Sequence, residues 1–252
     1  MAGKNSISIS LLFFIVYGSV AAWLPFLSIY LKDVGLSGIQ IGTLLSIQPA
    51  FMVAVLPFWG IAADKFGRKK VLLFTLFLQS ALILAVIGKG GYFYYFAVLS
   101  AFMLFYVGVP ALLDSIALDT VESAESVQYS KLRMWGSIGW SVSSLLVGKI
   151  VSEDSLSPMF VISSIAGFAS FLLCWFTIKK EVKNNISSPP VYFKDIKEVL
   201  KNKKILLFMA LLLVYGIGTS TIYNFYSIYL EEIGATKEIT GISFSIQAFS
   251  EI

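Results

Sequence analysis

The chain is a succession of long apolar stretches separated by short polar ones. These apolar runs occupy residues 7–31, 39–62, 71–88, 92–118, 128–151, 157–178, 205–230 and from about 239 onward. Most approach or exceed the roughly 20 apolar residues that a helix needs to cross a bilayer, and they lack the alternation of a barrel strand. The pattern therefore predicts an all-α transmembrane protein with seven spans and the start of an eighth.

Composition excludes a soluble domain. Hydrophobic residues make up 57% of the chain and charged residues 13%, with a mean hydropathy of +0.82, whereas soluble domains carry about 25% charged residues. The chain has no histidine, so histidine zinc sites and serine triads are excluded, and Cys174 alone cannot form an intrachain disulfide. Because no catalytic constellation is visible, we expect no enzyme activity, no metal and no cofactor.

Basic residues are strongly biased to one side of the predicted membrane. The biased side receives Lys4, Lys65, Arg68, Lys69, Lys70, Lys131, Arg133, Lys179, Lys180, Lys183, Lys194, Lys197, Lys201, Lys203 and Lys204. The opposite side receives only Lys32, Lys89, Lys149 and Lys237. The positive-inside rule then predicts a multi-pass protein of the cell (inner) membrane with a cytoplasmic N-terminus, and relates the +4 charge to topology rather than to nucleic acid.

One long polar segment divides the chain. We assign residues 1–178 to a first half of six helices, 179–204 to a cytoplasmic linker and 205–252 to the start of a second half. The linker contains helix-spaced apolar residues opposite lysines, namely Tyr192, Ile196, Val199 and Leu200. This spacing is typical of a short amphipathic helix on the membrane surface, and a solvated linker remains the alternative.

An internal repeat supports this division. The segment from Phe26 to Gln48, FLSIYLKDVGLSGIQIGTLLSIQ, aligns without gaps with FYSIYLEEIGATKEITGISFSIQ from Phe225 to Gln247. Ten positions are identical, and they include glycine, serine, tyrosine and glutamine, which chance similarity between apolar helices rarely preserves. The repeat predicts two parallel halves, each opened by one copy, with more helices expected beyond residue 252.

The loop between the second and third runs, GIAADKFGRKK, carries an ordered pattern. Gly60 permits close helix approach, Gly67 supports a tight turn, Asp64 can accept hydrogen bonds at a helix end, and Arg68 is a cytoplasmic anchor. A basic loop that merely obeys the positive-inside rule is the alternative. The ordered pattern resembles the signature loop of the major facilitator superfamily, which implies that these four residues gate the cytoplasmic side. The resemblance implies a complete N-terminal six-helix bundle plus two helices of the second bundle.

The segment KLRMWGSIGW, from Lys131 to Trp140, is similar to the fifth-helix motif of the lactose permease, phenylpropionate and nucleoside proton symporters. By that resemblance Arg133 holds substrate hydroxyls, Trp140 stacks on a sugar ring and Asp114 lies near a binding carboxylate. Two charges at similar depth on neighbouring helices should also face inward and lie close together. Snorkelling of Arg133 and a helix-end role for Asp114 are the alternatives. We add Trp23 as a substrate-binding candidate, because the first helix is unusually polar for lipid contact.

Glu251 lies about thirteen residues into the eighth run, where a bare carboxylate is costly. FSEI there resembles the eighth-helix site of lactose permease, which implies a role in proton coupling; a polar packing residue is the alternative. We therefore expect a monomeric proton-coupled symporter of a sugar, nucleoside or aromatic acid. Its partners would be that small molecule, the proton and the lipid bilayer, with no nucleic acid. A drug-efflux antiporter of the same fold and a non-transporting membrane fragment are the other hypotheses.

Overall fold

A computed structural model describes residues 2–122, 127–151, 155–178 and 201–251. Its helices are α1 Ala2–Trp23, α2 Leu27–Asp33, α3 Gly38–Leu45, α4 Ile47–Ala54, α5 Leu56–Phe66, α6 Arg68–Leu82, α7 Tyr92–Tyr106, α8 Gly108–Glu122, α9 Tyr129–Ile150, α10 Pro158–Thr177, α11 Lys203–Glu232 and α12 Lys237–Phe249. Short 3₁₀ turns occupy Leu24–Phe26 and Ile83–Ile87. The all-helical prediction is confirmed, while the predicted linker helix over 192–200 lies outside the described residues.

Consecutive helices join into longer membrane spans. Ser6–Asp33, Arg68–Ile87, Tyr92–Glu122, Pro158–Thr177 and Lys203–Glu232 are each long and apolar enough to cross a bilayer. Gly38–Ala54 and Leu56–Phe66 form a sixth span if taken together, with a bend of 46° between them. Pro57 explains the bend, because it lacks the N–H group that would continue the helical hydrogen-bond ladder.

Helix α9 falls outside that set although it has 22 residues. It carries arginine, lysine and several serines, so its composition is too polar for a helix surrounded by lipid. Its packing explains why it is tolerated, because α1 lies along one face and α12 along another. The 13-residue helix α12 is shorter than a full span.

The two copies of the repeat fold in the same register. Helices α2 and α11 end at equivalent positions, and both are followed by a glycine with positive φ, 87° at Gly35 and 84° at Gly234. Each turn is closed by equivalent backbone hydrogen bonds, such as Gly35 N–H to Lys32 O at 2.9 Å and Gly234 N–H to Glu231 O at 3.0 Å. Such a C-terminal cap favours glycine because a Cβ is strained at positive φ.

A labelling experiment tests the orientation that the lysine bias predicts. Lys70 and Lys89 are both exposed at opposite ends of the third span, whereas Cys174 is fully buried. In intact cells, a charged, impermeant maleimide should label Lys89→Cys and leave Lys70→Cys unlabelled until the membrane is permeabilised. The protein without added cysteine is the blank. Labelling of both positions from outside would contradict the span count.

Candidate functional site

Glycines allow helices α1 and α9 to lie against each other. A Cβ added to Gly18 would lie 3.3 Å from the carbonyl oxygen of Gly139, and a Cβ added to Gly136 would lie 3.1 Å from the ring of Tyr17. Ser143 Oγ also donates to the Gly18 carbonyl oxygen at 2.6 Å. Small residues bring helix backbones close and let hydroxyls bridge them. The contact places side chains of α1 directly beside the polar residues of α9.

Arg133 lies within this contact. Its guanidinium carbon is 4.1 Å from the centroid of the Tyr17 ring and 5.9 Å from that of Phe13, and the side chain is half-buried. A guanidinium at these distances is attracted to the aromatic faces and still presents its N–H groups at its edges. Within the described ranges it makes no ion pair, so these donors remain available to a ligand.

Asp114 lies on the neighbouring helix α8. It is half-buried and accepts a hydrogen bond from the Tyr129 hydroxyl at 2.9 Å, which ties α8 to the start of α9. Both Asp114 and Arg133 act electrostatically on Tyr17 and Tyr129. No ion pair joins the two charges in the described structure. Each charge instead contacts a tyrosine, Asp114 through the Tyr129 hydroxyl and Arg133 through the Tyr17 ring.

The two tryptophans predicted from sequence occupy different environments. Trp140 is half-buried two helical turns beyond Arg133, so an i, i+7 spacing puts both on one face of α9. Trp23 is only 1% exposed and packs edge-on against Phe102 and Tyr106, with ring centroids 5.3 and 5.6 Å away. Trp23 is therefore a core residue of the first half.

Glu251 follows α12 and has an exposed side chain. It acts electrostatically on Tyr223, whose ring packs edge-on against Phe244 at 5.2 Å. Glu251 therefore lies near an aromatic contact between α11 and α12.

The signature loop joins the third span to its neighbours. Gly67 has φ of 94°, as the predicted turn requires, and Arg68 pairs with Asp119 near the end of α8. Lys69 Nζ donates to the carbonyl oxygens of Trp175, at 3.0 Å, and Ile178 at the end of α10, a stabilising position for a cation. The structure thus shows this loop cross-linking the ends of the third, fourth and sixth spans.

Two residues of the loop, Asp64 and Gly60, lie on the exposed surface of α5. Asp64 is exposed at the end of α5. A Cβ at Gly60 would meet no heavy atom within 4 Å in the described structure. The expectation that Gly60 brings two helices together is therefore wrong for the described residues, because the surface of α5 at Gly60 is open.

Sequence reasoning missed Tyr129 and Asp119. Tyr129 stands four residues before Arg133, which is one helical turn, and its position beside a membrane arginine was the available signal. Asp119 is an acid near the end of the fourth span, and it lies beside a loop with four basic residues. Charge complementarity between adjacent loops could have identified it.

Comparison with known proteins gives a consistent family. The family model described as "MFS_1 like family" matches residues 6–252. An uncharacterized transporter, YwbF, of Bacillus subtilis (strain 168) is 30% identical over 232 residues, which cover 91% of this chain and 57% of that protein. The maltose permease of Geobacillus stearothermophilus is 28% identical over 246 residues, covering 96% and 61%. The multidrug resistance protein MdtG of Yersinia enterocolitica serotype O:8 / biotype 1B (strain NCTC 13174 / 8081) is 26% identical over 217 residues, covering 83% and 52%.

Solved structures show the same fold. The crystal structure of the nucleoside transporter NupG superposes with a TM-score of 0.83 at 18% identity, covering 98% of this chain and 65% of that one. The chain spans roughly three fifths of the length of the curated relatives it matches. These relatives are transporters and permeases rather than enzymes, and the family model spans nearly all of the chain. The chain therefore belongs to the MFS_1 like family, and with it to the major facilitator superfamily of membrane transporters.

Proposed function

We propose that the complete protein is a proton-coupled symporter that takes up a small polyhydroxylated or aromatic metabolite by alternating access. The sugar and nucleoside classes are favoured because one relative is named a maltose permease and a structural neighbour a nucleoside transporter. Substrate would bind near mid-membrane between two halves, as in transporters built from parallel repeats. Asp114, Arg133 and Trp140 would hold the substrate, and Glu251 would carry the proton.

The observation that carries this proposal is the arrangement of Arg133 and Asp114. Charges within a transmembrane bundle are costly, so they are expected to have partners. Here the guanidinium has aromatic faces beside it and the carboxylate has one tyrosine hydroxyl, but the two do not neutralise each other. A ligand with several hydroxyl groups would supply acceptors to Arg133 and donors to Asp114 at once. Trp140 on the same face of α9 would add an aromatic surface for a sugar or base.

Efflux of drugs is the second candidate, and the MdtG relatives favour it. A drug-efflux site would rely on aromatic and apolar contacts rather than on a directed acid and base. Trp140, Tyr223 and Phe244 could provide such contacts. Uptake is the leading proposal because the Arg133 cluster is polar and directional.

A transport assay separates the two functions. Cells producing the complete protein should accumulate a labelled disaccharide or nucleoside, and a protonophore should abolish that accumulation. Cells with the empty vector are the blank, and a fluorescent-dye efflux assay runs in parallel. Dye extrusion without uptake of any sugar or nucleoside would replace the proposal by its rival. Absence of both activities in correctly inserted protein would contradict a transport function.

A further inference from the structure

Charged residues converge where the two copies of the repeat meet, on the predicted extracellular side. Lys32, at the end of α2, has its Nζ 3.2 Å from Glu231 Oε2 and 3.5 Å from Glu232 Oε1 at the end of α11. Lys237, the first residue of α12, pairs with the other oxygen of Glu231. Glu231 thus receives two lysines, one from each half of the repeat.

The repeat gives this contact a symmetry. In the gap-free alignment Lys32 is equivalent to Glu231, and Gly38 is equivalent to Lys237. Equivalent residues of two repeats face each other where the relating axis passes between them. Identical charges at such positions would repel each other. Here the two equivalent residues carry opposite charges, so Lys32 of one copy attracts Glu231 of the other.

Burial separates the roles of the two lysines. The Lys237 side chain is 4% exposed, Glu231 is 26% exposed and Lys32 is 39% exposed. A buried charge that loses a partner is strongly destabilising. Lys237 and Glu231 belong to the same helical hairpin, so their pair lies within one half. Lys32, by contrast, belongs to the other half, so its pairs with Glu231 and Glu232 cross between the halves.

We propose that Lys32, Glu231 and Lys237 form an electrostatic gate that closes the extracellular end of the transport path. The proposal rests on the alternating-access function proposed above. When the halves separate on this side, Glu231 exchanges two lysine partners for one and stays neutralised by Lys237. Opening therefore breaks a water-accessible ion pair and leaves no buried carboxylate bare, which keeps the closed and open states close enough in free energy to interconvert.

The helices packed around the gate support its role as a seal. Ser227, one turn before Glu231, is 1% exposed and donates to the Pro25 carbonyl oxygen in the first span. A Cβ added to Gly148 of α9 would lie 3.0 Å from the Gly241 Cα of α12. These contacts hold the two halves together at the end that carries the proposed gate.

Accessibility of Ser227→Cys to an impermeant maleimide measures gate opening in intact cells without a substrate. Cys174 is fully buried, so the protein without added cysteine is the blank. Lys32→Gln in this background removes the pairs that Lys32 makes with Glu231 and Glu232 across the halves. It should raise the labelling rate about twofold to fivefold, as expected for loss of partly exposed ion pairs.

The opposite change is expected for Lys237→Met. Methionine fills a similar volume but leaves Glu231 dependent on Lys32 alone, so separation of the halves would strand the carboxylate. The labelling rate should therefore fall below that of the Ser227→Cys parent. A purely structural role for both lysines would move the two rates in the same direction, and that result would overturn the proposal.

Lys149→Gln is the matched control. Lys149 pairs with Glu238 between α9 and α12 at 3.5 Å, but both side chains are more than half exposed, 55% and 51%. Its loss should leave the rate unchanged, because such surface pairs contribute little. Equal rates in all variants would refute the gate even if uptake is observed. Opposite shifts without uptake of any tested substrate would uphold the gate and refute the proposed substrate class.

Discussion

Replacing Arg133 by lysine should weaken substrate binding by about tenfold to a hundredfold while the protein still inserts and folds. Lysine keeps the positive charge but loses the planar guanidinium that lies 4.1 Å from the Tyr17 ring centroid. It also loses the fork that can donate two hydrogen bonds to neighbouring hydroxyls. Hydrogen bonds to charged groups contribute about 1.5–3 kcal/mol, which corresponds to that range of affinity.

The measurement is the substrate concentration that half-saturates exchange across the membrane. Lys131→Arg is the control, because it makes the reverse change two residues away at an exposed position of the same helix. It should leave affinity unchanged, and both variants should match the parent in membrane yield and thermal stability. Unaltered half-saturation in Arg133→Lys would remove Arg133 from the binding site and would favour the efflux hypothesis.

The hydrophobic pattern was sufficient to predict where most helices lie. The run at 128–151 became α9, Tyr129–Ile150, and the run at 157–178 became α10, Pro158–Thr177. Apolar residues of spanning length leave the backbone no alternative to helix in a bilayer. Helix breaks were not predicted, and the run at 39–62 is bent before Pro57. Hydropathy averaged over many residues does not register one missing N–H group. Pro57 in the sequence was the signal that could have predicted the bend.

The rotation of each helix about its own axis, which decides which residues face a neighbouring helix, was harder to predict from the sequence. Trp23 and Tyr17 lie on the same polar first helix, yet Tyr17 contacts Arg133 while Trp23 is enclosed by Phe102 and Tyr106. A helix surrounded by others has no single polar face from which its orientation could be inferred. The hydrogen bond between Asp114 and Tyr129 was not predicted for the same reason, because it depends on how α8 and α9 are rotated toward each other.

The proposed gate shows that an internal repeat can identify equivalent residues but cannot show whether they are in contact. Alignment made Lys32 and Glu231 equivalent, which is a sequence fact, but their contact requires the two hairpins to meet at a shared axis. Sequence placed both on the sparsely basic side of the membrane. Three-dimensional packing was needed to show that Glu231 also pairs with a lysine that is 4% exposed.

Glu251→Gln should abolish uphill accumulation of substrate while exchange of labelled for unlabelled substrate continues. Glutamine preserves the size and hydrogen-bonding capacity of the side chain but cannot release a proton, so the proton gradient no longer drives transport. Exchange needs only substrate binding and movement between the two states, and neither step requires Glu251 to release a proton.

Two variants make that result specific. Glu251→Asp retains a titratable carboxylate and should keep part of the accumulation, whereas Glu238→Gln removes an exposed acid at the other end of α12 and should change nothing. The measurement is the ratio of internal to external substrate at steady state, with and without a protonophore. Loss of accumulation in Glu251→Gln with intact exchange means that binding and proton coupling use different residues. A Glu251→Gln protein that still concentrates substrate would place the coupling carboxylate elsewhere and leave Glu251 a polar packing residue.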